Sequence, residues 1–310
     1  MNEQRNRCFI GQNVYIAKLQ KLVDVQRKIH VPISKSFESE YKLAESNKES
    51  ITDQNVITHQ VINGALTQML KAGRHLPYAY GRLAFAKSCN ITIRKLKEMV
   101  ACVYAHPYLA AMVPNRVADP KDQDPEVNVH WFSYIDFAGE SDNTVVTGKF
   151  CTVNGVPVVW GREKQSLVTT SVCESELVAA NSTSKTGSQI VSAVESFGLI
   201  NSDKIHEAGY TDSSGTLDIS EGRTLNKRSR HIRIHELALR QKVHDYRRPG
   251  TFKLNKIDTP INPADGYTKP LDKQSLDRFC AHVDIVVLYD LIKKDDMKLE
   301  LQKHENMMES

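Results

Sequence analysis

Glu176 lies in the run Ser171-Val-Cys-Glu-Ser-Glu-Leu-Val-Ala-Ala180, where an extended, β-branched approach gives way to a helix opened by Glu174 and Glu176. An acid in the first turn of a helix is ordinary, because the positive end of the helix dipole favours it. Its company is less so. Asp212 closes the short apolar strand Ala208-Gly-Tyr-Thr-Asp212, and Asp265 sits in Asn262-Pro-Ala-Asp-Gly-Tyr-Thr-Lys-Pro-Leu271, each roughly 35 to 55 residues further on. One acid per supersecondary unit is the footprint of a carboxylate cluster assembled by the fold. Negative oxygens brought to one point repel one another and raise their own pKa values, so such a cluster makes chemical sense only with cations.

Positioning these acids takes a folded scaffold, and 310 residues suffice for two domains with cores of their own. A content of 40% hydrophobic and 25% charged residues is that of an ordinary soluble protein. No run approaches the length of a membrane span, and the polar N-terminus Met1 to Cys8 has no apolar core that a secretory signal would need. Six scattered cysteines without a C-x-x-C pair suggest neither a zinc ribbon nor a disulfide framework, so a reducing interior, cytoplasmic or nuclear, is expected. The net charge of +4 is mild, yet Arg223 to Arg248 holds nine Lys or Arg and three His against only Glu236 and Asp245. That stripe suits a phosphate track and a solvated helix face equally well.

Along the chain, Gln12 to Asp24 has roughly helical apolar spacing, and Lys35 to Asp53 is polar and reads as a mobile connection. Helical patterns follow at His59 to Ala72, Pro77 to Lys87 and Thr92 to Ala105, giving an all-helical segment over 1–112. The proline-punctuated stretch 113–126 reads as a linker. Strand patterns then occupy Val127 to Phe137, Asn143 to Thr152 and Gly155 to Gly161, with Asn154-Gly155 as a hairpin turn. A helix from Glu174 to about Leu199, a strand Lys204 to Thr211, a short helix, a basic helix Ser229 to Tyr246, a strand Thr251 to Ile257 and a helix beginning near Pro263 complete a unit over 127–285. A charged tail fills 286–310. The expected class is α/β, a mixed sheet flanked by helices and preceded by a smaller helical domain. Asp212 falls at the carboxyl end of a strand, where such sheets place their sites.

The order of elements and acids resembles a ribonuclease H domain, and the local wording is similar to the copia-type branch of retrotransposon Pol polyproteins. The resemblance is carried by Phe137-Ala-Gly139, Thr147-Gly148, Trp160, Lys164-Gln165, Glu174-Ser-Glu176-Leu-Val-Ala179, Asp212, Arg230-His-Ile232 with Ile234, Ala264-Asp265 and Thr268-Lys-Pro-Leu271. Each is weak alone; their order and spacing make the match. The segment 1–112 resembles the thumb and connection of the reverse transcriptase, through Gln12-Asn-Val-Tyr-Ile, Gly64-Ala-Leu and Pro77-Tyr-Ala-Tyr-Gly-Arg-Leu-Ala. The paired aspartates of the polymerase have no counterpart, because Asp295-Asp296 lies in the charged tail.

The resemblance implies hydrolysis of RNA in an RNA–DNA hybrid, with two Mg²⁺ ions roughly 4 Å apart clamping the scissile phosphate. Hard Mg²⁺ prefers carboxylate oxygens, so the implied catalytic and metal-binding set is Asp136, Glu176, Asp212 and Asp265. Arg228, Arg230, His231 and Lys269 are the implied contacts to the hybrid, and the remainder of a Pol polyprotein is the implied partner. The first acid departs from the family. Aligning Phe137-Ala-Gly139 without gaps puts Tyr134 at the first metal-bridging aspartate and Asp136 at the next acid; sliding the strand by two instead recruits Asp136. The ungapped version is favoured and implies an impaired site, since residues i and i+2 of a strand lie about 6.5 to 7 Å apart and a neutral phenol is a poor Mg²⁺ ligand. Beside Glu176 and Asp212, an Asp136 carboxylate would mark a competent site, and Tyr134 an inactive remnant that at most binds nucleic acid. Arg233 stands where the family has an acid between two isoleucines, a further departure.

Two other signals lose on their surroundings. His231 and His235 are spaced for zinc, but no glutamate follows the first and no cysteine pair is near. Asp212-Ser-Ser-Gly215 is one residue too long for an aspartic protease loop.

Overall fold

The computed structural model describes residues 7–287 apart from 11, 13–14, 17–18, 20–22, 24–28, 47–51, 71–75, 85, 87–88, 106–108, 115–125, 138–143, 199, 223–232 and 245–251. In chain order its elements are β1 (Arg7–Ile10), α1 (Phe37–Ser46), α2 (Asp53–Met69), α3 (Pro77–Ala84), α4 (Asn90–Ala105) and β2 (Leu109–Pro114). Then come β3 (Val127–Asp136), β4 (Val146–Val153), β5 (Val156–Lys164), α5 (Val172–Ser196), β6 (Ile205–Thr211), α6 (Ser214–Ser220), α7 (Arg233–Val243), β7 (Phe252–Lys256), α8 (Lys273–His282) and β8 (Ile285–Val287). They fall into two compact units, residues 1–115 with 270–310, and residues 116–269.

The first unit packs its helices around Phe37, Leu66, Leu76, Leu83, Leu96 and Met99, all buried. Two expectations change here. The stretch after Lys35 is a helix, not a polar connection, because Phe37, Tyr41 and Ala44 fall on one face and are buried. Its Glu38 also receives Arg82 in a two-pronged pair, Nε to Oε1 at 2.6 Å and Nη2 to Oε2 at 2.7 Å. The unit is not all-helical either: β1, β2 and β8 form an antiparallel three-stranded sheet in that order. Its central strand takes in Val113 and Pro114 of the expected linker. The opening helical pattern, Gln12 to Asp24, lies largely outside the described residues.

The second unit is the mixed sheet read from the sequence, in the order β5-β4-β3-β6-β7. β3 pairs antiparallel with β4 and parallel with β6, and β7 extends the parallel half. Asn154 and Gly155 have φ of 50° and 76°, left-handed values that close the β4–β5 hairpin as Asn-Gly sequences do. Along β3 burial alternates, with Val127, Val129, Trp131, Ser133 and Ile135 buried and the residues between them more open. Trp131, Leu177, Ala180, Leu239 and Leu254 form a core joining β3, α5, α7 and β7. This architecture is compatible with a ribonuclease H-like fold.

The helix expected near Pro263 starts only at Lys273. In its place stand short 3-10 turns at Thr259–Ile261 and Asp265–Tyr267. Pro260, Pro263 and Pro270 supply no backbone donor to a continuous helix, and Asn262 holds the turn by accepting from Ala264 N at 3.0 Å. Among the described residues no helix is long and apolar enough to cross a membrane.

Candidate carboxylate site

The two acids that open α5 have different jobs. Ser171 Oγ caps the helix by accepting from Glu174 N at 3.2 Å, and Glu174 Oε2 reaches back to Thr170 N at 2.7 Å and Thr170 Oγ1 at 3.0 Å. The first bond is the N-cap half of a capping box; the second falls on Thr170, one residue before the cap, and ties the approach to the helix start. Glu176 is left for the site. It is 7% exposed, and its Oε2 has no hydrogen-bond partner. Burial, then the nearby charge of Asp212, pushes its pKa up to about 8, against a smaller lowering by Lys256.

Asp212 follows the last residue of β6. Its Oδ2 accepts from Thr259 Oγ1 at 2.6 Å, while Oδ1 has no partner. Lys256, at the end of β7, donates to Asp212 O and, at 2.8 Å, to Ser214 Oγ. Asp265 lies on the second 3-10 turn, and its Oδ1 forms an ion pair with Lys269 Nζ at 2.7 Å, though that oxygen has no well-aligned hydrogen bond. Burial raises the Asp265 pKa and Lys269 opposes it. The turn is seated by Gly148: a Cβ there would collide with Ala264 O. Gly148 is the β4 partner of Tyr134, so Asp265 is carried to the strand position where the first acid was expected.

Tyr134 occupies that position. Its hydroxyl pKa is pushed well above the ordinary phenol value, first by burial and then by Asp265, Asp212 and Glu176. The hydroxyl is within hydrogen-bonding reach of the Asp265 carboxylate. Lys269 Nζ lies 5.4 Å from the centre of the Tyr134 ring. Asp136 is two residues further on, at the end of β3 opposite Val146. The charges of Asp265, Asp212 and Glu176 thus all bear on Tyr134.

These residues do not fit a two-magnesium centre. Glu176 Oε2 and Asp212 Oδ1 are open carboxylate oxygens of the right hardness. The first-acid position of the ungapped alignment, however, holds a phenol whose ionisation is suppressed, and Asp265 Oδ1 is paired with Lys269. Among the described residues no group of three or more His, Cys, Asp or Glu is arranged to hold a metal ion.

The proposed substrate contacts divide differently. Arg228, Arg230 and His231 lie outside the described residues. Lys269 is described and engaged by Asp265 and Tyr134. Of the basic stripe, Lys242 turns inward: its Nζ meets Glu207 Oε1 at 2.5 Å, Ser184 Oγ at 2.9 Å and Ser188 Oγ at 2.8 Å. Trp131 Nε1 donates to the same Glu207 oxygen at 2.8 Å. Arg240 Nε donates to Ile219 O at 2.6 Å. These two cations of the stripe are engaged within the unit. Lys256 and Thr259 escaped the sequence reading altogether, since nothing in the spacing of a strand-end lysine or a loop threonine marks it as an acid's neighbour.

No protein-family model matches the chain. A stretch of 147 residues is 29% identical to the retrovirus-related Pol polyprotein from transposon TNT 1-94 of Nicotiana tabacum, covering 47% of this chain and 10% of that polyprotein. The chain thus spans about a tenth of the length of the relative it matches. Ordered acids, the mixed sheet that gathers them and this shared stretch point the same way: the chain is related in sequence to the Pol polyprotein of a retrotransposon.

Proposed function

We propose that residues 116–269 are a ribonuclease H-like domain of retrotransposon Pol type that has lost hydrolysis of RNA–DNA hybrids and keeps at most nucleic-acid binding. The observation that carries this reading is Tyr134 amid Glu176, Asp212 and Asp265. In the family chemistry a carboxylate at that position would bridge two cations and supply negative charge. A phenol held neutral by burial and by three acids supplies neither. The separation along the strand keeps Asp136 from replacing it, because a shift of about 6.5 to 7 Å far exceeds the roughly 0.5 Å tolerance of a catalytic constellation.

The relevant ligand would be a duplex with A-like geometry, recognised through phosphates and 2′-hydroxyls without sequence preference. Arg228, Arg230 and His231 are the proposed phosphate contacts. A labelled RNA–DNA hybrid incubated with the full chain in Mg²⁺, and separately in Mn²⁺, should stay intact to the same extent as with the Glu176→Gln variant. Cleavage that Glu176→Gln abolishes would show that Asp136 has been recruited and that the site is competent.

A further inference from the structure

The turn that holds Asp212 and the turn that carries Asp265 meet at one residue, Asn262. It is 3% exposed, and its backbone and side-chain groups are all engaged. Its N–H donates to Thr259 O at 3.1 Å, and Thr259 Oγ1 donates in turn to Asp212 Oδ2 at 2.6 Å. Its carbonyl accepts from Asp265 N at 3.1 Å, and its Oδ1 accepts from Ala264 N at 3.0 Å. The remaining group, Nδ2, donates to Ser133 O at 3.0 Å across 129 residues of sequence. The pairing of β3 with β6 stops at Phe132 and Tyr210, so a side chain takes up the strand where its neighbour leaves it.

Resting on the reading that Tyr134 stands where the first acid was expected, we infer that Asn262 is the positioning residue of this corner. It is the pin that fastens the Asp265 turn to β3 one residue before Tyr134 and couples it to the turn that holds Asp212. The bonds demand this residue type. One short side chain must donate to a backbone carbonyl and accept from a backbone amide; aspartate has no donor, a hydroxyl is too short to reach both, and glutamine carries an extra methylene. Pro263 presets the aim, because a residue before proline is kept extended, as Asn262 is with φ −75° and ψ 111°. Gly148 lets the turn approach β4, whereas Asn262 decides where along β3 it lands.

The test is nuclear magnetic resonance on the full chain, comparing the wild type with Asn262→Asp, which keeps the acceptor and loses the donor, and Asn262→Leu, which loses both. Two signals report where the turn sits. One is the Overhauser contact between the Thr268 γ-methyl and the Gly148 α-protons, which the close approach of Thr268 Cγ2 to Gly148 implies. The other is an upfield ring-current shift of the Lys269 ε-protons, since Lys269 Nζ lies 5.4 Å from the centre of the Tyr134 ring. Both should be present in the wild type and lost in Asn262→Asp and Asn262→Leu. Asn262→Leu should also speed exchange of the Ala264 amide by about tenfold, as the loss of a hydrogen bond does. Val129→Ala truncates the core away from this turn; it should lower the melting temperature and leave both signals in place, so that lost stability alone does not give the expected result. Retention of both signals in folded Asn262→Asp overturns the pin and leaves the reading of Tyr134 intact. Cleavage of an RNA–DNA hybrid by the wild type overturns the reading of Tyr134 without touching the pin. Should both Asn262 variants fail to fold, the wild type decides: its Ala264 and Asp265 amides should exchange as slowly as those of β3, and exchange at the rate of an open loop sinks the inference.

Discussion

Glu176 binds its proton far more tightly in the folded chain than a solvated glutamate does, and that difference makes stability depend on pH. Its folded pKa of about 8 stands above the ordinary value of 4.5, because burial and Asp212 disfavour the charged form. Between those two values the native state holds a proton that the unfolded chain has released. The contribution is therefore complete below pH 4.5 and lost as pH rises through about 8. Within that window stability should fall by up to about 1.4 kcal/mol per pH unit from this group. Glu176→Gln should flatten that slope between pH 5 and 8 in melting curves. An unchanged slope would mean that Glu176 is ionised in the native state, and with it that a cation other than those described joins the corner.

At the scale of elements, two packing arrangements decide where the acids and cations go. The turn bearing Asp265 rests on the bare backbone of β4 at Gly148. Gly148→Ala should drive Ala264 away and cost about 1 to 3 kcal/mol of overpacking, read as a lower denaturant midpoint, together with a weaker influence of Asp265 on Tyr134. The second arrangement joins α7 to the sheet through Lys242, Glu207 and Trp131. Burial lowers the Lys242 pKa and Glu207 opposes it. Lys242→Met leaves Glu207 buried without its cation and should destabilise by about 3 to 5 kcal/mol, whereas Lys242→Met with Glu207→Gln should recover a large part of that loss in the same unfolding titration. Neither arrangement was legible in the primary structure. Thr147-Gly148 was visible as a resemblance, but its reason is a carbonyl more than a hundred residues away in sequence, and Lys242 looked like one more charge in a basic stripe. The helix at Phe37 to Ser46 escapes local patterning for a related reason: three buried residues, Phe37, Tyr41 and Ala44, among many polar ones suffice once other helices of the unit cover them.

For the whole molecule, the relation to a Pol polyprotein and a net charge of +4 bear on nucleic-acid binding. If the chain binds an RNA–DNA hybrid, affinity should fall by roughly tenfold or more from low to physiological salt as counterions are released. Replacing Arg228 and Arg230 by alanine should shallow that salt dependence in a filter or anisotropy assay, without any change in turnover. No binding even at low salt would leave the fold without the ligand proposed for it. The sequence by itself determined the class of the second unit, its hairpin, the order of its elements as far as β7, and which residues carry acids, because those follow from periodicity, turn chemistry and residue type; the prolines after β7 replaced the expected helix with short turns. It also showed that Tyr134 and Asp136 compete for one position. What the tertiary structure adds is the pairing: the register of β3 against β4 sets Tyr134 opposite Gly148, and the turn seated there brings Asp265 and Lys269 to it. Which side chain meets which across such distances along the chain is set by pairing and packing, and no local pattern encodes it.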